Sequence, residues 1–255
     1  MFYYLTFGAL LLSKYLAGYG KELRVFFYWL GLLTLFIISA FRYEVGCDWG
    51  NYEQLFRADF LQEIGGLSGS IATGEFGYVG LIIALNELGF SYTYLNFFTS
   101  LIFFYGIHKL AIKQPNPLSF LVLAFPFLII NLPMSGIRQA AAIGFICLAI
   151  IAFYERRAFK YTLLILFGAL FHSSAIIFFV LIPFIKRKFS SRNILLFSFL
   201  IIPFIIFLTN SAGASYMVMR YLETDIESSG AIYRLSLVAA TGTLFLLFLS
   251  KKWKS

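Results

Sequence analysis

Residues 25–41 read VFFYWLGLLTLFIISAF, seventeen positions without a charge. Residues 42–56 follow at once as RYEVGCDWGNYEQLF, with two glycines, three acids and one arginine. An uncharged run of that kind is a candidate to cross a bilayer, whose hydrocarbon core asks for about 20 apolar residues. The polar run behind it then lies at a bilayer surface. There it serves either as a solvated loop or as a face for a polar substrate.

The rest of the chain repeats the pattern. Of its 255 residues 60% are hydrophobic, 20% aromatic and only 13% charged, with a mean hydropathy of +0.85. A soluble domain is about 45–50% apolar and about 25% charged. The apolar runs are continuous rather than alternating, so the expected fold class is all-α, a polytopic membrane helix bundle. The net charge of +8 is topological in this setting. The basic residues fall between apolar runs, as they do in cytoplasmic loops, and no nucleic-acid partner is expected. Cys47 and Cys147 sit in different settings, one in a polar loop and one in an apolar run, so neither a disulfide nor a metal spacing is expected. The N-terminus lacks a basic region and a small-residue cleavage site, so it reads as a first membrane helix rather than a signal peptide.

Taken in order, residues 2–18 form a first element, with Lys14 and Tyr15 snorkelling at its end. Lys21, Glu22 and Arg24 make a cytoplasmic turn, and 25–41 is the second span. The segment 42–75 sets Arg42 and Arg57 against Glu44, Asp48, Glu53, Asp59, Glu63 and Glu75, which suits an extracytoplasmic loop. Asp48, Tyr52, Leu55 and Phe56 share one helical face, as in a short amphipathic helix at the interface, and the glycines of 65–70 break it. Residues 76–89, interrupted by Asn86 and Glu87, are too few for a full span and read as tilted or re-entrant. Residues 92–107 span and end in His108, Lys109 and Lys113; Pro115 and Pro117 close that helix. Residues 118–132 span again, with a kink expected at Pro126. After a Pro133–Gly136 break, Arg138 opens a helix lined by small residues that ends at Glu155, Arg156 and Arg157.

Residues 161–185 are apolar around FHSSA at 171–175. One straight span would put Lys186, Arg187, Lys188 and Arg192 outside. A broken pair of short helices turning near His172 keeps them inside and is the favoured reading. Residues 194–208, kinked at Pro203, and 232–249 complete about eight or nine membrane elements, some short or re-entrant, in one domain covering 1–255. Between those two lies the acidic segment 210–230.

Several polar residues carry two readings. Arg138 either snorkels or grips phosphate, which a guanidinium does bidentately while staying charged. His172, beside Ser173 and Ser174, is a proton acceptor or a histidine satisfied by nearby hydroxyls. Asp48 is a base, a ligand for sugar hydroxyls, or an ordinary loop aspartate. Arg42 binds phosphate or marks the end of a span. Glu75 and Tyr78 contact sugar, or cap and anchor a helix. His108 is interfacial with Lys109. No phosphate loop, Gly-rich dinucleotide turn or HExxH is present, so soluble nucleotide chemistry has no support.

Arg42, Val45, Gly46, Asp48 and Tyr52, then Glu75 and Tyr78, then Gly136, Arg138, Gln139 and Ala142, then the 171–175 motif occur in an order and spacing that resemble the EpsG family of Wzy-like exopolysaccharide and O-antigen polymerases. The likeness runs from the second span to the ninth element. It implies a multi-pass, metal-independent plasma (inner) membrane glycosyltransferase, without cofactors. Its substrate would be a polyprenyl-diphosphate-linked oligosaccharide, joined into exopolysaccharide, capsule or O-antigen at the outer face. A chain-length regulator is a candidate partner. By position, the resemblance assigns Asp48, Arg138 and His172 to catalysis. It assigns Arg42, Tyr52, Glu75, Tyr78 and Gln139 to the diphosphate or sugar. It also leads us to expect a short form of a family whose members continue with further spans. A transporter or flippase of the same lipid-linked sugar and a non-catalytic membrane subunit are the alternatives.

Overall fold

The computed structural model describes residues 2–46, 48–57, 75–185 and 199. Cys47, the 65–70 break, the basic cluster from Lys186 to Arg192, the acidic segment 210–230 and the elements expected at 194–208 (apart from Phe199) and 232–249 lie outside the described residues. The chain divides into two compact units, Met1–Phe204 and Ile205–Ser255. All the described residues belong to the first.

Every regular element among the described residues is helical. Helix α1 is Phe2–Leu16, followed by a 3-10 turn at Ala17–Tyr19. Then come α2 (Lys21–Ala40), α3 (Trp49–Arg57) and α4 (Phe76–Glu87). Helix α5 is Tyr92–Ala111 and α6 is Pro117–Ala124. Helices α7 (Ile137–Tyr154) and α8 (Ala158–Phe171) come after them, and a 3-10 helix at Ser173–Phe184 ends the described core. Among the described residues, α2 and α7 are long and apolar enough to cross a membrane.

Three local features explain where the chain turns. Asn116 caps α6 by accepting from the Ser119 N–H at 3.0 Å, with Pro117 at a first-turn position that needs no donor. At Pro126 the chain widens into a π turn, Phe125–Ile129, closed by the Ile130 N–H on the Phe125 carbonyl at 3.1 Å. The kink expected there takes the form of this widened turn, beside a proline that has no N–H to give the ladder. At His172 the backbone is extended, φ −152° and ψ 118°. Ser173 and Ser174 are poor helix formers, because their hydroxyls compete for backbone groups.

The chain then doubles back. The Tyr161 hydroxyl, near the start of α8, donates to the Phe178 carbonyl at 2.6 Å. Ile185 joins the same apolar cluster as Ala152 and Tyr161. Residues 161–185 are therefore a broken pair turning at His172, not one straight rod.

Helix α4 is about 18 Å long at 1.5 Å per residue. The Tyr78 ring near its start lies 6.1 Å from Tyr52. The Asn86 amide at its end donates to the Phe56 carbonyl at 3.1 Å. Both ends thus meet α3 through side chains.

Helix α7 is the central element. Its small residues let α5 and α8 approach, and a Cβ added at Gly106 would stand 2.1 Å from the Gly144 carbonyl oxygen. The C-terminal ends of α5 and α7 meet through Lys113 and Glu155, 3.8 Å apart. Near the same end Tyr28 and His108 are hydrogen bonded at 2.9 Å. Arg138 stands at the opposite end of α7.

Candidate functional site

Five of the expected residues converge where α3, α4, α7 and α8 meet. Arg138 sits in the first turn of α7. A cation there opposes the helix dipole, so an anion beside it is favoured. Glu75 is that anion. It stands at the N-cap of α4, where the dipole suits a carboxylate. Its Oε2 accepts from Arg138 Nη1 at 2.5 Å. Its Oε1 lies 2.7 Å from His172 Nδ1.

One carboxylate therefore ties an arginine and a histidine from two other elements. An ionised carboxylate only accepts, so His172 Nδ1 carries the proton in this pair. The Nε2 atom is then the basic nitrogen unless the ring is protonated. Burial alone would raise the Glu75 pKa. The His172 hydrogen bond and the Arg138 charge outweigh that and hold the carboxyl below its ordinary value of 4.5.

Two tyrosines flank the guanidinium. Its centre is 5.4 Å from the Tyr52 ring and 5.7 Å from the Tyr78 ring, within cation–π range. Arg138 Nε also donates to the Tyr52 hydroxyl at a long 3.5 Å. The Glu75 side chain is 6% exposed, against 33% for Arg138 and 19% for His172. The open face of the cluster thus belongs to the arginine and the histidine, with the carboxylate behind them.

The remaining expected residues are placed differently. Asp48 is half-buried, just before α3 and one turn before Tyr52. Among the described residues it makes no direct bond to Arg138 or His172. Gln139 is exposed beside Arg138. Arg42 is buried, at 7% exposure, and uses its fork internally. Its Nη1 donates to the Val45 carbonyl at 3.1 Å and its Nη2 to Asn96 Oδ1 at 3.2 Å.

Asn96 is a residue that sequence reasoning missed. Its signal is an amide inside the otherwise apolar run 92–107, a position that asks for a polar partner. Glu75 is expected from the sequence as a sugar contact, but its role as the link between Arg138 and His172 is visible only in the fold. Among the described residues, no three His, Cys, Asp or Glu side chains gather as a metal site.

Comparison with known proteins identifies the family. The model of the EpsG family, which points to exopolysaccharide-related, polymerase-like membrane proteins, matches residues 25–255. No curated protein and no solved structure matches the chain. With the matched region covering essentially the whole sequence, the chain belongs to the EpsG family.

Proposed function

We propose that the protein joins polyprenyl-diphosphate-linked oligosaccharide repeats by glycosyl transfer at the outer face of the plasma membrane. The observation that carries this reading is Glu75 holding Arg138 and His172 in one partly open cluster. Such a transfer needs positive charge for a departing diphosphate and an acceptor for one proton.

An acceptor-sugar hydroxyl attacks the anomeric carbon of the donor repeat. The bond from that carbon to the diphosphate oxygen breaks, and lipid diphosphate leaves with the electron pair. Arg138 takes the developing negative charge with the guanidinium edge that Glu75 does not use. His172 Nε2 receives the hydroxyl proton, and Glu75 stabilises the imidazolium so formed, as a buried carboxylate does for a catalytic histidine. Tyr52 and Tyr78 hold the guanidinium plane. Asp48 and Gln139 flank the cluster and are proposed to meet sugar.

The placement of charge supports an outer-face site. Lys109, Lys113, Arg156 and Arg157 lie near the C-terminal ends of α5 and α7. Arg138 lies about 25 Å away along α7 at 1.5 Å per residue. By the positive-inside rule the basic end is cytoplasmic and the cluster extracytoplasmic.

The test is reconstitution of the purified protein with lipid-linked repeat. A ladder of longer products is expected from wild type. Arg138→Ala should give none while inserting in the membrane normally. Normal-length polymer from Arg138→Ala would remove that residue from the chemistry.

A further inference from the structure

Arg42 is the second guanidinium near the cluster, and its surroundings differ from those of Arg138. It is buried at 7% exposure. Two of its three nitrogens point at neutral internal acceptors, the Val45 carbonyl and Asn96 Oδ1. Its Nε has no partner among the described residues, and the Tyr92 hydroxyl lies beside Arg42 and Asn96 without an aligned bond to either.

The turn it grips is unusual. Gly46 adopts φ +108°, a conformation that favours glycine. A Cβ there would stand 2.0 Å from the Met134 carbonyl oxygen and 2.8 Å from Arg42 Nη1. The 42–46 turn is thus pressed between Arg42 and the backbone that leads into α7. Met134 is four residues before Arg138, and Gly46 is six residues before Tyr52. The Trp49 N–H on the Gly46 carbonyl, 3.3 Å, starts α3 from this turn.

We propose that Arg42 is a positioning residue, not a ligand. Its fork clamps the 42–46 turn between Asn96 of α5 and Met134, and so sets where Tyr52 stands against Arg138. A guanidinium suits the task because it reaches two acceptors in fixed directions, which an ammonium on a flexible stem does not. The proposal rests on the polymerase reading for its catalytic consequence but not for its structural one.

The experiment uses the full chain in lipid nanodiscs and three readouts. These are amide hydrogen exchange over residues 43–57 without substrate, binding of polyprenyl diphosphate alone, and turnover of lipid-linked repeat. Arg42→Ala and Asn96→Leu should both accelerate exchange over 43–57. Each should lower kcat by about tenfold or more, since small displacements of a catalytic group are costly. Affinity for polyprenyl diphosphate should stay within about twofold of wild type.

Asn96→Asp keeps an acceptor for Nη2 and should leave both exchange and turnover near wild type. A loss of diphosphate affinity of about tenfold in Arg42→Ala, with wild-type exchange in Asn96→Leu, would make Arg42 a ligand and overturn the proposal. If wild type shows no turnover, the polymerase reading fails. The exchange comparison then decides the clamp alone: unchanged exchange in both variants overturns it.

Discussion

Glu75 Oε1 stands 2.7 Å from His172 Nδ1, although 97 residues separate the two. The carboxylate is buried and its second oxygen is already committed to Arg138. Removing its charge leaves a cation and an imidazole facing a neutral amide. Glu75→Gln should therefore cost about 2–3 kcal/mol, less than the about 3–5 kcal/mol of a fully buried pair because Arg138 is partly exposed. In the proposed transfer it should also lower kcat by about 100-fold, because the imidazolium formed on proton uptake would lose its counter-charge. Chemical denaturation and turnover assays on the same preparation check both. A wild-type kcat in Glu75→Gln would show that the carboxylate has only a structural task.

The same carboxylate gives a pH dependence with a definite sign. Its pKa is depressed in the folded protein, burial notwithstanding, by His172 and Arg138. A depressed acid stabilises the fold above its unfolded pKa and loses that contribution as pH falls through the folded value. The stability difference between wild type and Glu75→Gln should be full at about pH 6 and shrink on acidification. The decline should begin below the ordinary value of 4.5. Unfolding curves at several pH values measure this, and a difference that stays constant down to about pH 3 contradicts it.

Arg138 should not be replaceable by lysine. One nitrogen bonds Glu75 at 2.5 Å while the plane lies near the Tyr52 and Tyr78 rings. An ammonium keeps the charge but cannot hold the carboxylate and offer a second fixed edge to the proposed diphosphate. Arg138→Lys should retain membrane insertion and lose about tenfold or more in kcat, with Arg138→Ala losing about 100-fold or more. Near-normal rates in the lysine variant would reduce the requirement to charge alone.

Much of this is legible in the chain, for physical reasons that can be named. Apolar runs bounded by basic turns set the helices at 25–41 and 138–154, because length and hydropathy there admit few alternatives. The break at His172 follows from the charge of the residues beyond 185, which a straight span would put outside. Glu75 is legible as a polar residue before a helix, but not as the partner of an arginine and a histidine. No local pattern reports a contact across 63 residues to Arg138 or 97 to His172. Arg42 and Arg138 look alike in sequence, each an arginine at the edge of an apolar run. Burial separates them, and burial is a property of the packed fold.

The close approach of α5 and α7 supplies a last expectation. A Cβ at Gly106 would meet the Gly144 carbonyl oxygen at 2.1 Å, and one at Gly144 would meet the Ile102 carbonyl oxygen at 2.5 Å. These are backbone atoms, which no side-chain rotation can clear, so the helices would have to part. Gly144 lies on the helix that carries Arg138, and parting the pair shifts the arginine relative to Glu75 on α4. Gly144→Ala should lower stability by about 2–3 kcal/mol, as overpacking a tight contact does. It should also reduce kcat, although residue 144 is nearly two turns from Arg138. Gly8→Ala is the control, because its added Cβ would meet nothing within 4 Å. Alanine improves helix propensity by about 1 kcal/mol over glycine, so that variant should be neutral or more stable. Thermal unfolding of the two variants in the same detergent decides the matter. Equal midpoints would mean that the α5–α7 contact is looser than these glycines indicate.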